Sequence, residues 1–108
     1  MSNDELTFGK EIARLRKEQN LSQKALAKKV LKEDNTPITP QYLNDIEHDR
    51  RNPTSDELIK SFSRALNLSQ DAEDYLFFVA GKLPQYVRNI SKDEFLDVVC
   101  VFRKQKKD

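Results

Sequence analysis

A chain of 108 residues, 37% hydrophobic and 34% charged, has the length of one domain and can bury a modest core. Two Gly, a single Cys and a formal net charge of +1 exclude a glycine-rich phosphate loop, a disulfide framework and a uniformly basic surface. No apolar run approaches the roughly 18 residues that cross a bilayer, and "MSNDELTFGK" lacks a basic-then-apolar leader, so a cytoplasmic protein without a membrane partner is expected.

Apolar residues recur at helical spacing throughout, which predicts an all-α chain. A first helix is expected over about residues 5–19, with Phe8, Ile12 and Leu15 on one face. Ser22 then caps a second helix over about 23–31, stapled by Leu21 and Leu26 and facing inward through Ala25, Leu26 and Val30. The polar stretch "LKEDNTPIT" ends it. Thr39 caps a third helix running to about His48, with Pro40 at its first position and Ile38 stapled to Leu43. Thr54 and Glu57 form a capping box for a fourth, which carries Leu58, Phe62, Ala65 and Leu66 inward and stops at Asn67. Ser69 caps a fifth helix with Ala72, Tyr75, Leu76, Val79 and Ala80 inward, closed by Gly81. A last helix opens on the capping box Ser91 to Glu94, with Phe95, Val98, Val99 and Phe102 as its stripe. Residues 1–81 therefore read as a five-helix bundle and residues 82–108 as an extension carrying one added helix. The neighbours of Cys100 in "DVVCVF" predict a packed thiol.

Catalytic chemistry has no foothold here. There is one His, no paired Cys and no nucleophile-base motif, so no enzyme, no metal site and no cofactor is expected. His48 in "IEHDRR" reads as a surface residue at a helix end, and Asp71, Glu73 and Asp74 as acids favoured at a helix start.

Two short capped helices followed by a basic loop have the layout in which one helix crosses a DNA backbone and the next enters the major groove. "IARLRKEQNLSQKALAKKV" and "ITPQYLNDIEHDRRNPTSDELIKSFSRALNLS" resemble the Cro/CI-type helix-turn-helix family of prokaryotic transcription regulators, the xenobiotic-response-element-like group. The ordered pieces "LSQKALA", "YLNDIE" and "RRNP" carry the likeness, which covers about residues 8–70. It implies a lambda-repressor-like bundle, double-stranded DNA as partner, and a bacterial or phage-encoded regulator. The family joins these two helices by about three residues, whereas "LKEDNTPIT" is several longer. That leaves the angle between the helices open.

Gln23 and Lys24 begin the second helix, where unpaired backbone N–H groups and the positive dipole end suit a phosphate. Thr39, Arg50, Arg51 and Asn52 are the other expected phosphate contacts. With Leu43 and Ile46 inward, Gln41, Asn44 and Asp45 face away from the core and Tyr42 lies on the flank; these are the candidate base readers. An intraprotein role for Asp45 is equally open, since a carboxylate near phosphates is unfavourable. The resemblance also implies an Arg16–Glu47 ion pair as scaffold. Phe95, Leu96, Val99 and Phe102 are expected to form a homodimer interface, with packing on the fifth helix as the alternative. The leading expectation is a repressor on a palindromic operator; an adaptor with a protein partner, or an antitoxin, are the competing ones.

Overall fold

The computed structural model describes residues 6–52 and 55–106. Along them run α1 (Phe8–Glu18), α2 (Gln23–Lys29), α3 (Pro40–Glu47), α4 (Asp56–Leu66), α5 (Gln70–Val79), α6 (Gln85–Arg88) and α7 (Lys92–Lys106). The described chain is all-α, with one isolated antiparallel bridge between Leu31 and Pro37.

Side-chain caps set the starts. Thr7, Ser22, Thr39, Ser55 and Ser69 each accept a hydrogen bond from the backbone N–H three residues on, at 2.9–3.2 Å. Each satisfies a donor that the helix leaves unpaired. α1 accordingly starts at Phe8 rather than near residue 5. Ser55 caps α4, in place of the predicted Thr54, which lies outside the described residues. Asn67, at φ 55°, ends α4 in the left-handed conformation, and Gly81, at φ 81°, follows α5. The capping box of α7 is reciprocal: Ser91 N–H donates to Glu94 at 2.9 Å and Glu94 N–H to Ser91 Oγ at 3.1 Å.

Ile12, Leu26, Val30, Leu43, Ile46, Ile59, Phe62, Leu66, Leu76 and Phe77 are fully buried where α1 to α5 meet. Each such side chain contributes about 1.5–3 kcal/mol relative to an exposed one. Phe8 meets Phe62 edge to face, with ring centroids 5.7 Å apart. α5 differs from its expected face: Tyr75 is exposed and Phe77 is buried. In "YLFFV" every position is apolar, so periodicity alone has no polar residue with which to choose a side.

The connection from α2 to α3 is a small closed turn. α2 stops at Lys29 rather than 31 because Val30 turns extended. Lys32 N–H then donates to Thr36 O at 2.8 Å, and Ile38 N–H to Val30 O at 2.9 Å. Asp34 Oδ1 accepts from both the N–H and the hydroxyl of Thr36, which holds its carboxyl below the usual range, while Asn35 takes φ 68°. Leu31 N–H, otherwise unpaired at the bridge, donates to Ser61 Oγ of α4 at 2.7 Å.

Beyond α5 the chain is strapped back before it departs. Asp56, at the start of α4, accepts from Lys82 at 3.2 Å and from both terminal nitrogens of Arg88 at 2.7 and 3.1 Å, and Tyr86 donates its hydroxyl to Asp74. The Asp74 hydrogen bond raises the Tyr86 phenol above its ordinary pKa. α6, a single turn inside this strap, is an element the sequence pattern did not announce. Across α7 the described side chains are exposed apart from half-buried Val99, and the Phe102 side chain is not among them. Cys100 is exposed, not packed. A radius of gyration of 15.7 Å, against the ~13 Å of a compact chain this long, reflects that standing-off helix.

Candidate nucleic-acid interface

α3 buries Leu43, Ile46 and Glu47 and turns Gln41 outward, with Asn44 and Asp45 half-buried beside it and Tyr42 on the α4 flank. Asp45 follows Gln41 by four helical positions, so both stand on one crest. Gln41 Nε2 donates to Asp45 Oδ1 at 2.9 Å, and Arg50 Nε donates to the same oxygen at 3.3 Å. Asp45 therefore carries intraprotein partners, and its charge is shared with a guanidinium that remains largely exposed.

Behind the crest lies a polar lock. Arg16 of α1 donates through Nε to Glu47 Oε2 at 2.6 Å and through Nη2 to Oε1 at 3.0 Å, a bidentate pair. Its third donor, Nη1, reaches Leu21 O at 2.9 Å in the α1–α2 turn. Gln23 Nε2 from α2 donates to Glu47 Oε1 at 3.0 Å and Asn44 Oδ1 at 3.1 Å. Side chains of α1 and α2 thus converge on one carboxylate of α3, and Arg16 ties the α1–α2 turn to it. Both charged side chains are nearly removed from water, at 12% and 4% exposure, where a charge is tolerated only when paired and fully hydrogen-bonded. The amide donor of Gln23 is engaged in this lock; Lys24, next to it, is exposed at the start of α2.

Cations flank the crest on both sides. A groove of about 520 Å3 between α1 and α3 is lined by Lys10, Arg14, Arg16 and Lys17 together with Gln23 and His48. Lys17 was not singled out from sequence, because a basic residue on a polar helix face looks like any solvated one. On the other flank Arg51 lies over the Tyr42 ring, 4.4 Å from its centroid, so Tyr42 serves as the platform that orients a guanidinium. Thr39 spends its oxygen on capping α3, and Arg50, Arg51 and Asn52 are exposed in the loop that follows. His48 sits at the same end, its Nδ1 2.9 Å from Asn44 O. Glu33 and Asp34 line a separate cavity of about 350 Å3 with Tyr42, Ser55 and Leu58, on the α4 flank of α3.

A family model described as helix-turn-helix matches residues 12–69, more than half of the chain. The chain belongs to the Cro/CI-type helix-turn-helix family. No curated relative and no solved structure matches it. Membership of this helix-turn-helix family makes the protein a DNA-binding transcription regulator, with α2 and α3 as the two helices of the motif. The helix-turn-helix contains the Arg16–Glu47 pair, the Gln23 bridge and the closed turn at residues 30–38, all inside the matched span. No helix among the described residues is long and apolar enough to cross a membrane.

Proposed function

We propose that the protein represses transcription by occupying a palindromic operator as a homodimer, with α3 of each protomer in the major groove. The observation that carries this reading is the lock on Glu47, which holds the α3 crest outward while cations stand on both of its flanks. Gln41 and Asn44 are suited to adenine and Asp45 to the amino group of cytosine, each good bidentate contact discriminating by about 1–3 kcal/mol. Tyr42 lies at the edge of this set. Gln23, Lys24, Thr39, Arg50, Arg51 and Asn52 meet the phosphates, and Gln23 does so through its backbone N–H at the first position of α2, since its amide nitrogen is engaged. Pairing of Asp45 with Arg50 removes the electrostatic objection to a carboxylate on this face.

Residues 1–81 form the DNA-binding unit and residues 82–108 the dimerisation extension, in which Phe95, Leu96, Val99 and Phe102 contribute apolar surface. A dimer spaces its two reading helices by one DNA turn, about 34–36 Å, and so doubles a contact that is small for one module. The protein acts in a bacterial or phage-infected cytoplasm.

The test is an electrophoretic shift on genomic fragments at several salt concentrations. Arg50→Ala with Arg51→Ala is expected to weaken binding uniformly and to flatten the dependence of log K on log salt by about 2, roughly one unit for each lost phosphate contact. An unchanged affinity and slope would remove both arginines from the interface. Tyr42→Phe keeps the ring under Arg51 and is expected to bind like the parent, whereas Tyr42→Ala loses about 0.5–1 kcal/mol, a factor of roughly 2–5. If Tyr42→Phe binds as poorly as Tyr42→Ala, the hydroxyl itself reads DNA.

A further inference from the structure

α5 carries an uncovered aromatic face. Tyr75 and Phe78 stack with ring centroids 6.1 Å apart, yet they are 39% and 66% exposed. Asp71, one turn before Tyr75, is exposed on the same side, and Asp74 lies one turn before Phe78. This face is aromatic in the middle and acidic at its N-terminal end. Contiguous apolar surface rimmed by charge marks a contact site.

α7 has the complementary character. Phe95, Leu96 and Val98 are exposed. At 100° per residue, Lys92 and Arg103 both fall on one edge of the stripe through Phe95 and Val99, between Val99 and Leu96, while Glu94 borders the other edge beyond Val98 and Asp93 and Asp97 fall on the opposite side. The apolar face of α7 therefore carries cations along one edge and Glu94 along the other. An antiparallel pairing of two such faces would set each Lys92 and Arg103 edge against its copy, whereas an α5 face offers Asp71. Within one chain the two faces do not meet, since Phe78 remains the most exposed of the large apolar side chains among the described residues.

We propose that α7 of each chain lies across Tyr75 and Phe78 of a second copy, so that a two-fold axis relates two identical α7-on-α5 contacts. This rests on the homodimer part of the function proposed above and is independent of its DNA part. Making the contact twice is what lets a single helix and two rings approach the ~800 Å2 per partner of a stable interface. The strap of Arg88 on Asp56 and Tyr86 on Asp74 fixes where α7 leaves the bundle, and so which neighbour it reaches.

The experiment is molar mass by light scattering and sedimentation. The parent is expected to be dimeric, and Phe78→Asp and Phe95→Asp, both at exposed positions and each retaining the parent helical circular dichroism, are expected to raise Kd by more than about tenfold. An equal mixture of the two variants is expected to associate more tightly than either variant alone, because one intact seat and one intact α7 meet in the pair. Asp71→Lys is expected to weaken the dimer, and Lys92→Glu with Arg103→Glu in the same chain to restore it. A dimer indifferent to Phe78→Asp but broken by Phe95→Asp overturns the proposal and leaves the homodimer reading standing. A mixture that associates no better than the variants alone overturns the reciprocal contact, and a monomeric parent overturns both.

Discussion

Glu47→Ala is expected to lower the stability of the protein by about 3–5 kcal/mol, the usual cost of leaving one member of a buried ion pair without its partner. The Arg16 guanidinium would keep Leu21 O but lose both carboxylate oxygens, in a place where its side chain is 12% exposed. Gln23 would lose one of its two acceptors. A typical domain of this kind has only about 5–15 kcal/mol in hand, so the variant stands close to unfolding at ambient temperature. Urea titration of the helical signal measures the difference. Removing both charges together, as Arg16→Met with Glu47→Leu, is expected to recover much of the loss, because no buried charge is then left alone. If Glu47→Ala costs less than about 1 kcal/mol, water reaches the pair freely and the lock is no more than a surface contact.

Gly9→Ala is the second large effect, and two opposing magnitudes decide its sign. Inside a helix, Ala is favoured over Gly by about 1 kcal/mol. A Cβ at position 9, however, would stand 2.1 Å from Ile46 O, 2.6 Å from Asp49 Oδ1 and 3.0 Å from Glu47 O. The Asp49 carboxylate can rotate away, but the two carbonyls belong to the backbone of α3, so the helix itself must retreat by more than an ångström. Overpacking of this severity reaches about 3 kcal/mol and overrides the propensity gain. Because the element displaced is α3, DNA affinity is expected to fall further than stability alone accounts for. A thermal melt together with a shift assay below the melting range separates the two losses; a variant as stable as the parent shows that α1 and α3 can slide apart at little cost.

Much of this arrangement was legible in the sequence. Caps at Ser22, Thr39 and Ser69 and the box at Ser91 announce helix starts because a short polar side chain three residues before an unpaired N–H has a local role that no tertiary context alters. The ordering of "LSQKALA", "YLNDIE" and "RRNP" sufficed for the family. What stayed hidden depends on partners far along the chain. Gly9 is needed by the carbonyls of residues 46 and 47, Ser61 by Leu31 N–H, and Gln19 by Leu66 O, 2.7 Å from its Nε2. Helical spacing gave the direction of Tyr42 and not what lies on it; Arg51 arrives from a loop whose course no periodicity describes. The outward turn of Tyr75 and Cys100 was missed for another reason: a stretch apolar on every side has no preferred inside until a second surface chooses one.

The closed turn between α2 and α3 separates two quantities that a short linker would tie together, the number of residues in the connection and the angle at which the reading helix is held. Val30 and Ile38, both buried, are joined directly by a backbone hydrogen bond, so everything from Leu31 to Pro37 hangs from a clasp that is already fastened. The tip can therefore lengthen, shorten or change sequence as a free variable of the surface, while the orientation of α3 is inherited from the two core residues at its neck.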